Sequence, residues 1–272
     1  MASSHPRDPD RSVSQIPPLP PVGGVGPPHV DWQGLSWYSL SCRPNRLKGS
    51  FVARVSSLER VEALTVFLDK LVLALAKHWL LLINLVIAIY AGLPFLAPTF
   101  MILGYTQPAK MIYTLYQPLC HQLPQRSFFL FGPRLAYSVA TLQELLGPET
   151  LANNALARTF IGNSALGYKM AYCQRDTAMY TSLLLAGIAF GLVRHHLKPL
   201  PFRLYLILLV PWAVDGFAQL LGFYESTWQL RTITGGLFGL GTVWFAYPYL
   251  EAAMKELRCT ITEKLGVEQK HN

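Results

Sequence analysis

Charged residues are scarce in this chain of 272 residues, and their distribution is uneven. Asp, Glu, Lys and Arg make up only 14% of the sequence, whereas about 25% is usual in soluble globular domains. None of these four residue types occurs between positions 78 and 108. This deficit argues against an ordinary soluble protein and points to segments that lie in lipid.

Several familiar signatures are also missing. The chain has only 4 cysteines, and their spacing is not that of a zinc finger. It has no His-Glu-x-x-His motif, so the helix-borne zinc site of the metalloproteases that carry it is excluded. The N-terminus has no basic segment followed by an apolar stretch, so we expect no signal peptide.

Four long apolar runs dominate the rest of the chain. A transmembrane helix needs about 20 predominantly apolar residues, and each run approaches or exceeds that length. Four such runs with so little charge are not typical of the buried helices of a soluble protein. The sequence therefore predicts an all-α integral membrane protein, a four-helix transmembrane bundle with spans at 79–103, 177–193, 204–223 and 232–250.

Basic residues indicate the orientation of these spans. They are concentrated before the first span, in the short loop 194–203 between the second and third, and after the fourth. The positive-inside rule makes these three segments cytoplasmic. We therefore expect a plasma-membrane protein with both termini in the cytoplasm. The net charge of +8 is then explained by the basic cytoplasmic segments. The expected partner is therefore the bilayer and not nucleic acid. A homo-oligomer is also possible.

The segments divide the chain into domains. Residues 1–50 are rich in Pro, Gly and Ser and predict a disordered cytoplasmic tail. Residues 51–78 carry apolar side chains at three- and four-residue steps, which predicts an amphipathic helix leading into the membrane. The four-span domain is 79–250. Its external segment, 104–175, is too long for a bare loop and predicts a helical hairpin. Residues 251–272 form a cytoplasmic C-terminal tail.

Four residues with metal-binding side chains fall on the predicted external side. They are Cys120, His121, Cys173 and Asp176. Thiolate, imidazole and carboxylate ligands together suit zinc, or iron in a more open geometry. Two alternatives stay open on the residues alone. One is a Cys120–Cys173 disulfide, since the external side is usually oxidising. The other is two unrelated buried thiols and a surface histidine.

Asp215 is an ionisable residue inside the third predicted span. A carboxylate in the bilayer is costly unless it is paired, so we expect it to face the bundle and to bind an arginine, Arg231 first and Arg175 second. Glu225 is the competing partner for Arg231. Gln219 lies one helical turn farther out on the same face. The pair could fix helix register or belong to a working site. The candidate catalytic residues are therefore Asp215, Arg231, Arg175 and Gln219.

Small residues at four-residue spacing occur in two predicted spans. Gly187 with Gly191, and Gly235 with Gly239, let helices approach closely. We interpret both pairs as packing features and assign them no chemistry.

Several uncommon motifs follow one another over about residues 110–240. They are Cys120-His121-Gln122, Arg126-Ser127-Phe128, Cys173-Gln174-Arg175, Asp215-Gly216 with Gln219, Glu225-Ser226-Thr227, Arg231 and Thr234-Gly235. In this order they resemble a family of small prokaryotic membrane proteins, domain of unknown function 2085. The resemblance implies a multi-pass membrane protein with a Cys/His motif and brings no established activity. The family pattern has a second cysteine where this chain has Asp176, which favours a harder or more open metal site.

Three functions remain open at this point. The first is a metal-dependent membrane enzyme that acts on a lipid-like or small polar ligand at the outer face. The second is a non-catalytic membrane component, in which a structural metal or the disulfide ties the external segment to the bundle. The third is a small transporter that uses Asp215 within spans interrupted by proline.

Overall fold

The computed structural model describes the chain from Leu58 to His271, and most of this part is helical. The predicted tail 1–50 and the start of the predicted amphipathic helix lie outside the described residues. The described elements are, in chain order, α1 (Leu58–Ile102), α2 (Thr106–Tyr116), a 3-10 turn (Pro124–Arg126), β1 (Ser127–Leu130), α3 (Val139–Leu146), α4 (Pro148–Ala152), α5 (Asn154–Thr159), β2 (Gly162–Asn163), β3 (Gly167–Cys173), α6 (Gln174–Val193), α7 (Phe202–Leu220) and α8 (Trp228–His271).

Three of the described helices are long and apolar enough to cross a membrane: Glu62–Ile102 within α1, together with α6 and α7. The chain is therefore a mostly helical protein with three candidate membrane-spanning helices. The predicted count of four is not confirmed. The fourth predicted span lies inside α8, where glycine, threonine and tyrosine occupy many positions and lower the hydropathy.

Helices α6 and α8 run parallel to each other and pack closely through glycine. A Cβ atom on Gly239 would lie 2.1 Å from Ser182 Oγ and 2.5 Å from the Met179 carbonyl oxygen. A Cβ atom on Gly235 would meet the Arg175 carbonyl oxygen at 2.6 Å. These contacts confirm the packing interpretation of this glycine pair, since no larger residue fits at either position without a shift of the helices.

The two glycines of the other pair, Gly187 and Gly191, differ in the space that a side chain would have. A Cβ atom on Gly187 would clash with Asn84 Oδ1 of α1 at 2.2 Å. A Cβ atom on Gly191 would meet its nearest neighbour, Leu80, at 3.5 Å, which is an ordinary contact. Gly187 is therefore required for close packing, whereas Gly191 is not.

Helices α1 and α7 run antiparallel to α6 and α8. The ring centroids of Trp79 and Phe190 are 6.4 Å apart at one end of the α1–α6 contact. Those of Tyr90 and Tyr180 are 4.8 Å apart towards the other end. On α7, Tyr205 stacks on Phe245 of α8 with centroids 4.6 Å apart. Arg175 and Arg231 lie near the N-terminal ends of α6 and α8, and Asp215 lies near the C-terminal end of the antiparallel α7. All three therefore lie at the same end of the bundle.

Helix α1 is continuous from Leu58 through the first predicted span, so the predicted amphipathic helix is part of one long helix. Asp69 near its start bonds Lys264 of α8 at 2.5 Å, and Trp79 Nε1 donates to Glu251 at 2.9 Å. The part of α8 beyond residue 250 therefore packs beside α1 as a helix, where the sequence indicated only a C-terminal tail.

The segment between α1 and α6, here called the connecting lobe (residues 103–173), contains a small antiparallel sheet of order β1-β3-β2. Phe129 of β1 pairs with Lys169 of β3. The sheet corrects two expectations, the all-α class and the helical hairpin. Strand β3 is buried on both faces, so it lacks the apolar–polar alternation that reveals a half-buried strand.

A cluster of tyrosines attaches the connecting lobe to α1. Tyr116 Oη of α2 donates to the Tyr90 carbonyl oxygen of α1 at 2.8 Å. The rings of Tyr116 and Tyr172 meet edge to face with centroids 4.8 Å apart. These contacts fix the ends of α2 and β3 against the bundle. Cys120 lies in the turn after α2, and Cys173 is the last residue of β3.

Candidate functional site

The turn after α2 places Cys120 at the junction of lobe and bundle. The Cys120 N–H donates to the Tyr116 carbonyl oxygen at 3.0 Å, and the Cys120 side chain is buried. Gln122 adopts a left-handed backbone with φ of 51°. Its buried Nε2 donates to the carbonyl oxygens of Tyr113, at 2.8 Å, and Ala171, at 3.1 Å. Gln122 thereby anchors the turn between α2 and β3.

Cys173 stands where β3 ends and α6 begins. Its N–H donates to Cys120 Sγ at 3.2 Å, which links the two cysteines directly. Its own Sγ caps α6 by accepting from the Asp176 N–H at 3.4 Å. The cap directs Cys173 Sγ towards the first turn of the helix, where Asp176 lies.

Cys120, Cys173 and Asp176 form a group that could hold a metal ion. One ligand atom from each of the three lies within 4.8 Å of the other two. Two Zn–S bonds of about 2.3 Å hold the sulfurs at most about 4.6 Å apart, so a small adjustment would let one ion reach all three. The two cysteines are unbonded, so the disulfide alternative is not the arrangement seen.

His121, the fourth predicted ligand, is not part of this group. Its side chain is exposed, whereas the adjacent Cys120 is buried. The turn at Gln122 draws Cys120 inward, and the neighbouring residue then faces outward. His121 nevertheless lines the same cavity as the group, so it borders the centre without being in ligand range.

The surroundings of Cys173 favour a protonated thiol when no cation is present. A hydrogen bond with Cys120 and burial both raise the pKa of Cys173 well above its usual value. The nearby charges of Cys120 and Asp176 raise it further. If both thiols and the carboxylate were ionised, they would repel one another. Protonation of a thiol relieves this repulsion, and so would a bound cation.

A cavity of about 290 Å³ borders the three residues. Cys120, Cys173 and Asp176 form part of its wall, and Arg126, Arg175 and Arg231 form another part. The remaining lining is mixed: Leu119, His121, Gln122, Leu123, Trp212, Gly216, Gln219 and Leu220. All the predicted site residues except Asp215 therefore line one cavity.

Asp215 is buried and pairs with Arg175, so the first predicted partner was wrong and the second correct. Tyr224 Oη also donates to Asp215 Oδ1 at 2.6 Å. The neighbouring Gly216 leaves room for this contact, because a Cβ atom there would lie 3.2 Å from an Arg175 terminal nitrogen. Without a side chain at 216, the Arg175 guanidinium can reach the carboxylate across the α6–α7 contact.

Arg231 instead bonds Glu225, the residue expected to compete with Asp215 for this arginine. The two approach at 2.9 Å, and Arg231 also donates to Gln174 Oε1 at 3.0 Å. Glu225 accepts from Arg126 at 2.5 Å and from Gln219 at 3.1 Å. Burial raises the pKa of Glu225, but the Arg126 hydrogen bond and the charges of Arg126 and Arg231 bring it below its usual value.

Lys169 is a residue that the sequence analysis missed. It is 0% exposed, and its Nζ donates to the carbonyl oxygens of Gln122, at 2.7 Å, and Arg158, at 2.8 Å. Burial lowers its pKa to about 7, against a smaller opposing effect of Cys120. The sequence feature that could have revealed it is that Lys169 is the one charged residue in strand β3. It holds the Cys120 turn against the sheet.

Comparisons with known proteins agree with this architecture. The family model described as "Predicted membrane protein (DUF2085)" matches residues 154–245. An uncharacterized protein of Methanocaldococcus jannaschii is 31% identical over 191 residues, which cover 67% of this chain and 99% of that protein. No solved structure matches the chain. The chain therefore belongs to the DUF2085 family of predicted membrane proteins.

Proposed function

We propose that this protein is a four-span plasma-membrane enzyme that uses a zinc or iron centre at the outer membrane face. The observation that carries the proposal is the group of Cys120, Cys173 and Asp176, whose ligand atoms lie within 4.8 Å of one another on the wall of a cavity. The bilayer is its environment, and the substrate would enter this cavity.

The packing of α8 supports a fourth span. Its segment 232–250 has no charged residue, and it lies beside α6 from Gly235, next to Arg175, to Tyr247, whose ring centroid is 5.5 Å from that of Phe190. If α6 crosses the bilayer, a parallel neighbour over the same length crosses it too. Glycine lowers the hydropathy of this segment because it serves helix packing.

The distribution of basic residues supports an outer position for the metal group. The loop between α6 and α7 carries Arg194, Lys198 and Arg203, and the positive-inside rule assigns such a loop to the cytoplasm. The start of α6 and the end of α7 are at the opposite end of these helices. Cys173 and Asp215 lie there, so the site faces the outer leaflet and both termini are cytoplasmic.

The ligand set is compatible with either zinc or iron. Two thiolates and one carboxylate give three protein ligands, and the cavity leaves space for a fourth. Structural zinc sites are closed by four protein ligands, whereas catalytic sites keep one position for water or substrate. Three ligands beside a cavity therefore favour a catalytic site. His121 would complete a closed site only if the turn at Gln122 rearranged.

The roles of the residues follow from their contacts. A bound metal would supply an activated water or polarise a substrate oxygen. Arg175 and Arg231 present guanidinium groups to the cavity, and Asp215 and Glu225 hold those groups in place. Gln219 accepts from Arg175 at 3.4 Å and donates to Glu225, so it connects the two ion pairs.

A structural metal is the second candidate, because Cys120 and Cys173 join the connecting lobe to the start of α6. An ion there would hold the lobe to the bundle without catalysis. The two candidates differ in whether the metal has an accessible coordination position.

Cobalt(II) substitution distinguishes these candidates. We expect the purified protein with Co²⁺ to show thiolate-to-metal absorption, which is lost in Cys120→Ser. Addition of cyanide should change the visible bands if a coordination position is open. A thiolate spectrum that cyanide leaves unchanged would indicate a closed structural site, and the absence of thiolate absorption would exclude this metal centre. His121→Ala is the matched control and should retain the absorption.

A further inference from the structure

Three arginines line the cavity that borders the metal group. Arg126 follows the Cys-His-Gln turn, Arg175 lies in the first turn of α6, and Arg231 lies at the start of α8. They come from three separate parts of the chain. An arginine cluster assembled in this way requires either neutralisation by the protein or an anionic ligand, since like charges at short range repel.

The protein neutralises this cluster only in part. Arg175 pairs with Asp215, while Arg126 and Arg231 share the single carboxylate of Glu225. In these ion pairs Arg126 and Arg231 have only one carboxylate between them, whereas Arg175 has a carboxylate partner of its own. Asp176 is the carboxylate that lines this cavity itself, and it belongs to the group with Cys120 and Cys173.

Hydrogen-bond donors on the arginines are also left over. Among the residues that the structure describes, the buried Nε atoms of Arg126, Arg175 and Arg231 have no acceptor, and neither does the indole nitrogen of Trp212. Arg231 is only 3% exposed, so water does not readily satisfy its Nε. Buried unpaired donors are costly, and a shift of these side chains that brings the donors to an oxyanion in the cavity would pair them.

We propose that the cavity binds a phosphate group, with Arg126, Arg175 and Arg231 as its ligands and the metal centre beside it. The inference rests on the proposed function for the metal, and it names the class of substrate. Guanidinium groups bind phosphate through paired N–H donors in a fixed planar arrangement. The 20-residue helix α6 begins at this wall, and the partial positive charge at its N-terminus adds to the attraction.

The cavity also suits a ligand with an apolar part. Leu119, Leu220 and Trp212 line it together with the arginines. Leu220 is the last residue of the membrane-spanning helix α7 and is exposed, so this wall lies where acyl chains of the outer leaflet would begin. The phosphate could therefore belong to a lipid headgroup or be free in solution, and the test separates these two sources.

Isothermal titration of the purified, metal-analysed protein in a phosphate-free maltoside detergent tests the proposal. Three probes are compared: inorganic phosphate, dihexanoyl phosphatidate, and dihexanoylglycerol hemisuccinate, which carries a carboxylate in place of the phosphate. We expect saturable binding of a phosphate probe and much weaker binding of the hemisuccinate. Tighter binding of the phosphatidate than of inorganic phosphate would identify a lipid source, and equal affinity would identify the free anion.

Arginine variants locate the binding site. Arg126→Gln and Arg231→Gln should each weaken phosphate binding about tenfold or more, because each removes a charge-assisted contact. Arg134→Gln is the matched control, since Arg134 is an exposed arginine of the connecting lobe that does not line this cavity. If Arg231→Gln does not fold, Arg126→Gln decides, because the Arg126 side chain is 29% exposed and tolerates replacement better.

Failure of this inference and failure of the proposed function give different results. A protein that holds its metal but binds neither phosphate probe, or binds the hemisuccinate equally well, overturns the phosphate site alone. Equal loss of affinity in Arg134→Gln also overturns it. A protein that binds phosphate through Arg126 and Arg231 but holds no metal overturns the metal-dependent function and leaves the phosphate site in place.

Discussion

Arg175 and Asp215 form a buried ion pair between α6 and α7, with side chains that are 15% and 3% exposed. The pair connects the start of α6, which Cys173 caps, to the C-terminal half of α7. Arg175 lines the cavity, whereas its partner Asp215 does not. The pair therefore couples the packing of the bundle to the geometry of the cavity.

Removing one member of this pair should be more harmful than removing both. Arg175→Gln or Asp215→Asn alone leaves a buried charge, which costs about 3–5 kcal/mol of unfolding free energy in typical cases. Unfolding in mixed micelles of the wild type, the single variants and the double variant measures the coupling. Asp215→Asn with Arg231→Gln is the comparison, and it should couple less. Stronger coupling to Arg231 would show that the observed pairing is wrong.

The contact between α6 and α8 should respond sharply to added volume at Gly239. Gly239→Ala places a methyl group 2.1 Å from Ser182 Oγ and 2.5 Å from the Met179 carbonyl oxygen. Overpacking of this kind destabilises by about 1–3 kcal/mol. The control is Gly236→Ala, which meets no atom within 4 Å and should be neutral or stabilising by up to about 1 kcal/mol. Equal effects of the two changes on unfolding would argue against the close helix contact.

The buried Lys169 predicts a pH dependence of stability. Its pKa is lowered from 10.5 to about 7, so between these values the unfolded chain binds a proton that the folded chain does not. Stability should therefore rise with pH across that window, by up to about 1.4 kcal/mol per pH unit, and Lys169 should contribute no slope below it. Thermal unfolding of wild type and Lys169→Met across this range measures the difference. Parallel curves would show that Lys169 keeps its usual pKa.

Four spans with cytoplasmic termini predict which residues a membrane-impermeant thiol reagent can reach. Glu149→Cys, in α4 of the connecting lobe, should be labelled from outside intact cells. Lys198→Cys, between α6 and α7, should be labelled only after the membrane is permeabilised. Both side chains are exposed, so accessibility within the protein does not bias the comparison. The wild-type protein measures the background labelling of its native cysteines. If only Lys198→Cys is labelled in intact cells, the true topology is the inverse of the predicted one.

The long helices and the meeting of Cys120, Cys173 and Asp176 could be predicted from the sequence. Apolar runs mark candidate spans because the bilayer imposes length and composition. Both cysteine motifs lie between the first and second predicted spans, so the four-span prediction places them at the same membrane face. The number of spans was less predictable, since 232–250 combines helix packing with moderate hydropathy. It stays a prediction.

The connecting lobe could not be predicted in the same way. Strand β3 is buried on both faces and pairs with β1 across a long stretch of chain, so no local pattern reveals it. Lys169 was overlooked for this reason, because its burial depends on carbonyl oxygens from distant turns. The pairing of Asp215 with Arg175 likewise depends on how α6 and α7 are placed in the bundle, which no local pattern reveals.

The metal content of the purified protein tests the central claim most directly. Inductively coupled plasma mass spectrometry should find about one zinc or iron ion per wild-type chain, since the three ligands define a single site. Cys120→Ser, Cys173→Ser and Asp176→Asn should each lower this content strongly, while His121→Ala should leave it unchanged. A wild-type protein without stoichiometric metal, or variants of the three ligands that retain it fully, would contradict the account.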